Sequence, residues 1–203
     1  MTLDANALNA IGMIRTLWQD RTVEGLAEVN TRLDEQSFDP LTLQMPAPRL
    51  LPTVAYLDTC LDETALIYPE LAAAIRSLAP HFRWLQSKAY TDDLLGEGFA
   101  NNYGWTEIIG PNGFFKGQDF LLGLLILGPH RHYLDHHHPA PELYWPLTSA
   151  TEWRKGEGAF ESKAAGTPIW HPPWIAHATK TGERPLLALW CWTRETTVPA
   201  SLI

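Results

Sequence analysis

Between residues 100 and 195 the chain never keeps a helical period over the length of a helix. It runs instead in short apolar or alternating bursts, each cut off by glycine or proline. Phe120 to Leu127, Glu142 to Leu147, Thr167 to Trp170 and Pro185 to Trp192 are the clearest of these. A burst of that length cannot bury its apolar side alone, so several must pair and close on one another, and an antiparallel sandwich or barrel is expected. Upstream the texture differs. Leu8, Ile11, Ile14, Leu17 and Trp18 recur at helical spacing, as do Leu71, Ile75 and Leu78 behind Pro69, a residue suited to a first helical turn. Thr22 to Gln36 reads as a further helix, while Phe38 to Pro52 carries Pro40, Pro46, Pro48 and Pro52 and reads as a connector. The expected fold is mainly β: a small antiparallel barrel over residues 82–203, with a helical extension, residues 1–81, packed on it.

Composition narrows the function classes. With 203 residues, 45% hydrophobic and 19% charged, the chain is globular in character and long enough to bury a core. No segment approaches the roughly 18 continuous apolar residues that a bilayer crossing needs, so a membrane partner is not expected. The opening stretch has an acid at Asp4, no basic lead and no uninterrupted apolar block; it does not read as a signal peptide, and the cytoplasm is the expected compartment. Cys60 and Cys191 show no C-x-x-C spacing and read as buried thiols. A formal charge of -8 without a run of Lys and Arg argues against nucleic acid. A small molecule is the expected partner, and a homo-oligomer stays open.

Histidine is distributed unevenly. Six of the eight fall between His130 and His171, and His177 follows closely. Residues two apart in a strand face one side, so His136 and His138 can both point into a barrel while His137 points away; the same rule aligns Glu142 with Tyr144. Pro139 and Pro141 interrupt ladder pairing and allow a bend that brings the Glu142 carboxylate round to the imidazoles. The Pro172-Pro173 turn then delivers His177 at the head of another strand. Imidazoles with one carboxylate suit one divalent transition metal, Fe, Zn, Mn, Ni or Co, without choosing among them. Burying His136, His138, Glu142 and His177 together without a cation would be costly. His130, His132 and His137 read as a surface run, and His171, ahead of Pro172, as structural. Trp190 and Trp192 share a strand face opposite Leu189 and Cys191, and read either as core or as a pocket wall.

The spacing His136-x-His138-x3-Glu142, followed at a distance by Pro172-x4-His177, resembles the two metal-binding motifs of the cupin superfamily. That resemblance implies a double-stranded β-helix barrel with these four residues as ligands. Two glycines usual in cupins are replaced: Ser149 stands seven residues after Glu142, and Trp174 three before His177. A narrower likeness lies in Tyr133-x2-His136-x-His138-Pro-Ala-x-Glu142-Leu-Tyr144-x-Pro-Leu, then Glu152-Trp153, then Trp170-His-Pro-Pro and His177-Ala. This string is similar to the cupin-type dimethylsulfoniopropionate lyases of the DddQ-like group. It implies a carbon–sulfur lyase that converts dimethylsulfoniopropionate by β-elimination to dimethyl sulfide and acrylate.

Within that reading the metal binds the substrate carboxylate and offsets its charge while the α-proton is removed. Tyr144 is the expected base and Tyr133 its assistant. Trp192 and Trp190 would face the sulfonium, a diffuse cation worth roughly 0.5 to 2 kcal/mol against each aromatic ring. A cupin dioxygenase would use the same ligands with O₂ and no tyrosine base. A metal-binding small-molecule sensor is the non-enzyme alternative, but no helix-turn-helix sequence accompanies the barrel.

Overall fold

A computed structural model describes residues 2–19, 21–39, 41 and 43–203 of the chain. Among these residues ten strands form two antiparallel sheets of five, the double-sheet cupin barrel that the motifs implied. In chain order they are β1 (Tyr103–Ile109), β2 (Leu121–Leu127), β3 (His132–His137), β4 (Glu142–Pro146), β5 (Thr151–Lys155), β6 (Glu161–Lys163), β7 (Ile169–His171), β8 (His177–Thr181), β9 (Leu186–Trp192) and β10 (Ser201–Leu202). One sheet runs β1-β2-β9-β4-β7 and the other β10-β3-β8-β5-β6, so the chain crosses from the second sheet to the first between β3 and β4. That crossing is the bend at Pro139 and Pro141.

The α-helices are α1 (Leu3–Trp18), α2 (Leu26–Asp34), α3 (Leu57–Ala65), α4 (Pro69–Leu78) and a single turn α5 (Asp92–Leu95). α2 is shorter than the expected Thr22 to Gln36. It begins only after Gly25, which has φ 78° and lies so close to the Trp170 ring that a Cβ would collide with it. α3 escapes the sequence pattern because its buried stripe is Leu57, Cys60, Leu61 and Thr64, with a thiol and a hydroxyl at two of the four positions. The expected connector holds no α-helix or named strand among its described residues until a 3₁₀ turn starts at Pro52; Pro40 lies outside the described residues.

The β1–β7 sheet is buried on both faces, which is why β2 reads Leu-Leu-Gly-Leu-Leu-Ile-Leu without polar alternation. Leu122, Leu124, Ile126, Leu187, Leu189 and Cys191 face the helices and share a core with Ile14, Leu61 and Ile75. Leu121, Leu125, Leu127, Ala188 and Trp190 face the barrel interior, with Tyr103, Tyr133 and Tyr144. Helices thus seal one side of the sheet, and its other side is free to line a cavity.

Candidate active site

The local rule that builds the site is strand alternation, corrected at one place. Along β3 the register to β8 slips between Tyr133, opposite Thr179, and His136, opposite His177. This bulge inserts an extra residue, so Tyr133 and His136, three apart, both turn inward, where strict alternation would separate them. Their rings stack at 4.0 Å and 12°. His136 and His138 are 2% and 3% exposed, and half-buried His137 turns away to meet the Trp174 ring. On the other sheet, Glu142 sits between Trp192 of β9 and His171 of β7 in register.

The donor atoms of His136, His138 and His177 lie within 4.8 Å of one another, and so do those of Glu142, His171 and His177. Nδ1 of His136 meets the Leu134 carbonyl, that of His138 the Ala140 carbonyl and that of His177 the Ile175 carbonyl, each at 2.9 Å. A carbonyl only accepts, so each Nδ1 carries the proton and each Nε2 presents a lone pair. Oε2 of Glu142 stands 3.1 Å from Nε2 of His138 and 3.2 Å from that of His177. Lone pairs aimed at a carboxylate oxygen repel unless a cation or a proton lies among them. The arrangement therefore fits a divalent transition metal on donor chemistry alone.

The electrostatics agree. Burial and the nearby His177 hold His136 well below the ordinary imidazole range, which keeps it neutral. Burial alone would raise the Glu142 carboxyl, but His138, His171 and His177 outweigh it and hold Glu142 well below the carboxylate range. The second oxygen of Glu142 accepts a 2.8 Å hydrogen bond from Nε1 of Trp192, which orients the carboxylate.

His171, expected to be structural, belongs to this cluster. It is fully buried, its pKa is pushed down to about 3 by burial and His177, and its Nδ1 is 3.8 Å from Glu142 Oε2. Neither of its ring nitrogens has a hydrogen-bond partner among the described residues. The signal was its pairing with Glu142, which only the sheet order reveals. His130, His132 and His137 stay outside the cluster.

A cavity of about 580 Å³ is lined by His136, His138 and Glu142 of the cluster and by Tyr133, Tyr144, Trp190 and Trp192, among others. The face shared by Trp190 and Trp192 is therefore a cavity wall, and Leu189 and Cys191 supply the core face. Trp192 also lies against the His138 ring at 4.3 Å. The Tyr133 and Tyr90 hydroxyls are 3.1 Å apart. Burial and the Tyr103 phenol push Tyr133 well above the usual phenol range, and burial and the Glu142 charge do the same to Tyr144. Tyr103, Trp105 and Glu107 also line the cavity. Their every-second-residue spacing on β1 was the overlooked signal.

The missing cupin glycines are answered by strained backbone. Trp174 adopts φ 62°, and Ala150, one residue past Ser149, adopts φ 61°. The turns keep a left-handed residue, and at Trp174 a bulky side chain bears the strain.

Comparison with known proteins gives a consistent result. The family model for dimethylsulfoniopropionate lyase matches residues 27–188. Dimethylsulfoniopropionate lyase DddQ of Ruegeria pomeroyi is 27% identical over 154 residues, 76% of each chain. The crystal structure of that lyase superposes with a TM-score of 0.82 at 22% identity, over 98% of this chain and 96% of the other. A second structure, described as DMSP lyases RdDddP and RnDddQII, gives a TM-score of 0.75 at 22% identity over the full length of both chains. The two superpositions establish a shared fold, and the family match over most of the chain places it in the dimethylsulfoniopropionate lyase family.

Proposed function

We propose that this protein cleaves dimethylsulfoniopropionate to dimethyl sulfide and acrylate. The observation that carries the reading is a pair of overlapping donor triads, His136 with His138 and His177 and Glu142 with His171 and His177, of which His136, His138 and Glu142 line a cavity walled by indoles and phenols. His136, His138, Glu142 and His177 would hold a divalent transition metal, whose Lewis acidity would offset the charge of the substrate carboxylate and of the enolate-like state beside it.

The chain's own groups do the rest. Tyr144, two residues beyond Glu142 on the cavity side of β4, is the base: its phenolate takes the α-proton. The C–H electron pair becomes the double bond of acrylate, and the C–S bond breaks with its electrons on sulfur, so the sulfonium leaves as a neutral thioether. Burial, the larger cause, and the Glu142 charge keep the Tyr144 proton in place; a cation held beside Glu142 would oppose both, and the phenol would release its proton to solvent before the phenolate takes the substrate's. Tyr133, close to Tyr90 and stacked on His136, assists by positioning the substrate. Trp190 and Trp192 offer ring faces to the sulfonium.

The test is headspace detection of dimethyl sulfide from purified protein loaded separately with each candidate metal. Release of dimethyl sulfide with stoichiometric acrylate is expected with at least one of them. No dimethyl sulfide with any metal, from protein shown to hold that metal, overturns the reading.

A further inference from the structure

Two carboxylates are buried among the described residues, and both line the same cavity: Glu142 and Glu107, each 2% exposed. Glu142 is surrounded by imidazoles. Glu107, on β1, makes no ion pair among the described residues, whose buried carboxylate pairs are those of Glu142; burial pushes the Glu107 carboxyl up. Its hydrogen bonds come from Asn112, through the backbone N–H at 2.6 Å and the side-chain amide at 3.2 Å. The backbone makes room for it: Gly110 has φ 148°, and a Cβ there would collide with the Glu107 carboxylate. A buried carboxylate without a counter-charge is costly, and a cationic ligand would relieve that cost.

The sheet register shows where such a ligand would lie. Glu107, Gly123, Trp190 and Tyr144 are successive cross-strand partners through β1, β2, β9 and β4. Gly123 has no side chain, and the Trp190 indole passes over it, with Nε1 only 2.9 Å from where a Cβ would be. Trp105 meets Trp190 edge-on at 5.7 Å, and Trp190 meets Trp192 at 6.0 Å. A wall of indoles thus leads from the neighbourhood of Glu107 to Trp192, which is bonded to Glu142. Lys116 and Asp119 also line the cavity but are exposed at its rim. One end of the cavity calls for a cation that would take a carboxylate, and the other presents an unpaired carboxylate behind π faces.

We propose that Glu107 is the counter-charge for the cationic end of the substrate and makes the cavity select a zwitterion over a neutral-tailed carboxylate of the same shape. This rests on the lyase reading above. Glu107 acts here as a specificity-determining residue, not as a donor to the metal or as a base.

The test compares two probes on metal-loaded protein: dimethylsulfoniopropionate and 4-methylpentanoate, in which a neutral carbon replaces the sulfonium. Binding is measured by calorimetry and by competition, alongside turnover and metal content. Glu107→Gln keeps an acceptor for Asn112 but removes the charge. It should weaken the sulfonium probe about tenfold, as expected for losing one partly screened charge pair, and leave 4-methylpentanoate binding and metal content within a few-fold. Glu107→Asp should restore most of the preference. Asn112→Ala, which removes one hydrogen bond to Glu107 but no charge, should keep it. Equal weakening of both probes, or no change in their ratio, overturns the proposal. If the parent releases no dimethyl sulfide but prefers the sulfonium probe and Glu107→Gln abolishes that preference, the subsite stands and the lyase reading falls. If the parent neither cleaves nor binds dimethylsulfoniopropionate, both fall.

Discussion

At the residue scale, the site depends on how few ring nitrogens are left free. His136, His138 and His177 each commit Nδ1 to a main-chain carbonyl, so each ring offers Nε2 alone, and removing the ring deletes that donor. His136→Ala, His138→Ala and His177→Ala are expected to lose bound metal and activity together, as measured by elemental analysis after gel filtration. Stoichiometric metal in all three would remove them from the ligand set, and the same measurement on His171→Ala shows whether that buried imidazole contributes a donor. Trp192→Phe keeps a ring but loses the hydrogen bond to Glu142, and should weaken metal affinity about 10- to 100-fold in a chelator competition. Tyr144→Phe should keep metal and fold while elimination falls by roughly 10² to 10⁴, since the phenyl ring has no atom that can take the proton. Turnover within a few-fold of the parent would pass the role of base to Tyr133.

At the element scale, the cavity mouth is tied together by segments far apart in sequence. Asp119 accepts hydrogen bonds from the backbone N–H of Glu195 and from the backbone N–H and hydroxyl of Thr196, at 3.1, 2.9 and 3.0 Å. Arg32 on α2 donates to the Thr193, Gln118 and Asp119 carbonyls and so anchors both segments. The slight burial of Asp119 raises its carboxyl, but the hydrogen bonds from residues 195 and 196 and the nearby Arg32 outweigh it and hold the pKa below the ordinary value. A depressed carboxylate stabilises above its unfolded pKa, about 3.9, and that contribution is lost as pH falls through the lower folded value. Amide exchange at Glu195 and Thr196, corrected for intrinsic rates, is therefore expected to lose protection below about pH 4 and to be insensitive to pH near neutrality. In Asp119→Asn the acid-dependent step should vanish. The same scale shows where pattern reading stops: α3 was hidden by Cys60 and Thr64 in its buried stripe, and the β3 bulge, which turns Tyr133 inward, follows from pairing with β8 and leaves no mark in spacing.

At the scale of the whole molecule, the helical layer carries no ligand of the cluster, yet it covers the outer face of the sheet that presents Glu142, Tyr144, Trp190 and Trp192. Ile75 on α4 is fully buried in that shared core, and Ile75→Ala should cost about 2 to 5 kcal/mol of stability by denaturant titration while metal-saturated activity stays near the parent's below the transition. Loss of activity in a folded variant would instead mean that the layer shapes the site. Two things could be read from the chain alone: that a helical half precedes a strand half, although the first named strand begins only at Tyr103, and the inward alternation of His136, His138, Glu142 and Tyr144. Those follow from periods of 3.6 and 2.0, which are local properties of the backbone. The tertiary structure alone decided that His171 stands beside Glu142, that Trp192 grips that carboxylate, and that Glu107 shares the cavity without a counter-charge. Each of these depends on which strands pair and in what register. Pairing is set by closure of the whole barrel and burial of both faces of one sheet, neither of which a local period encodes.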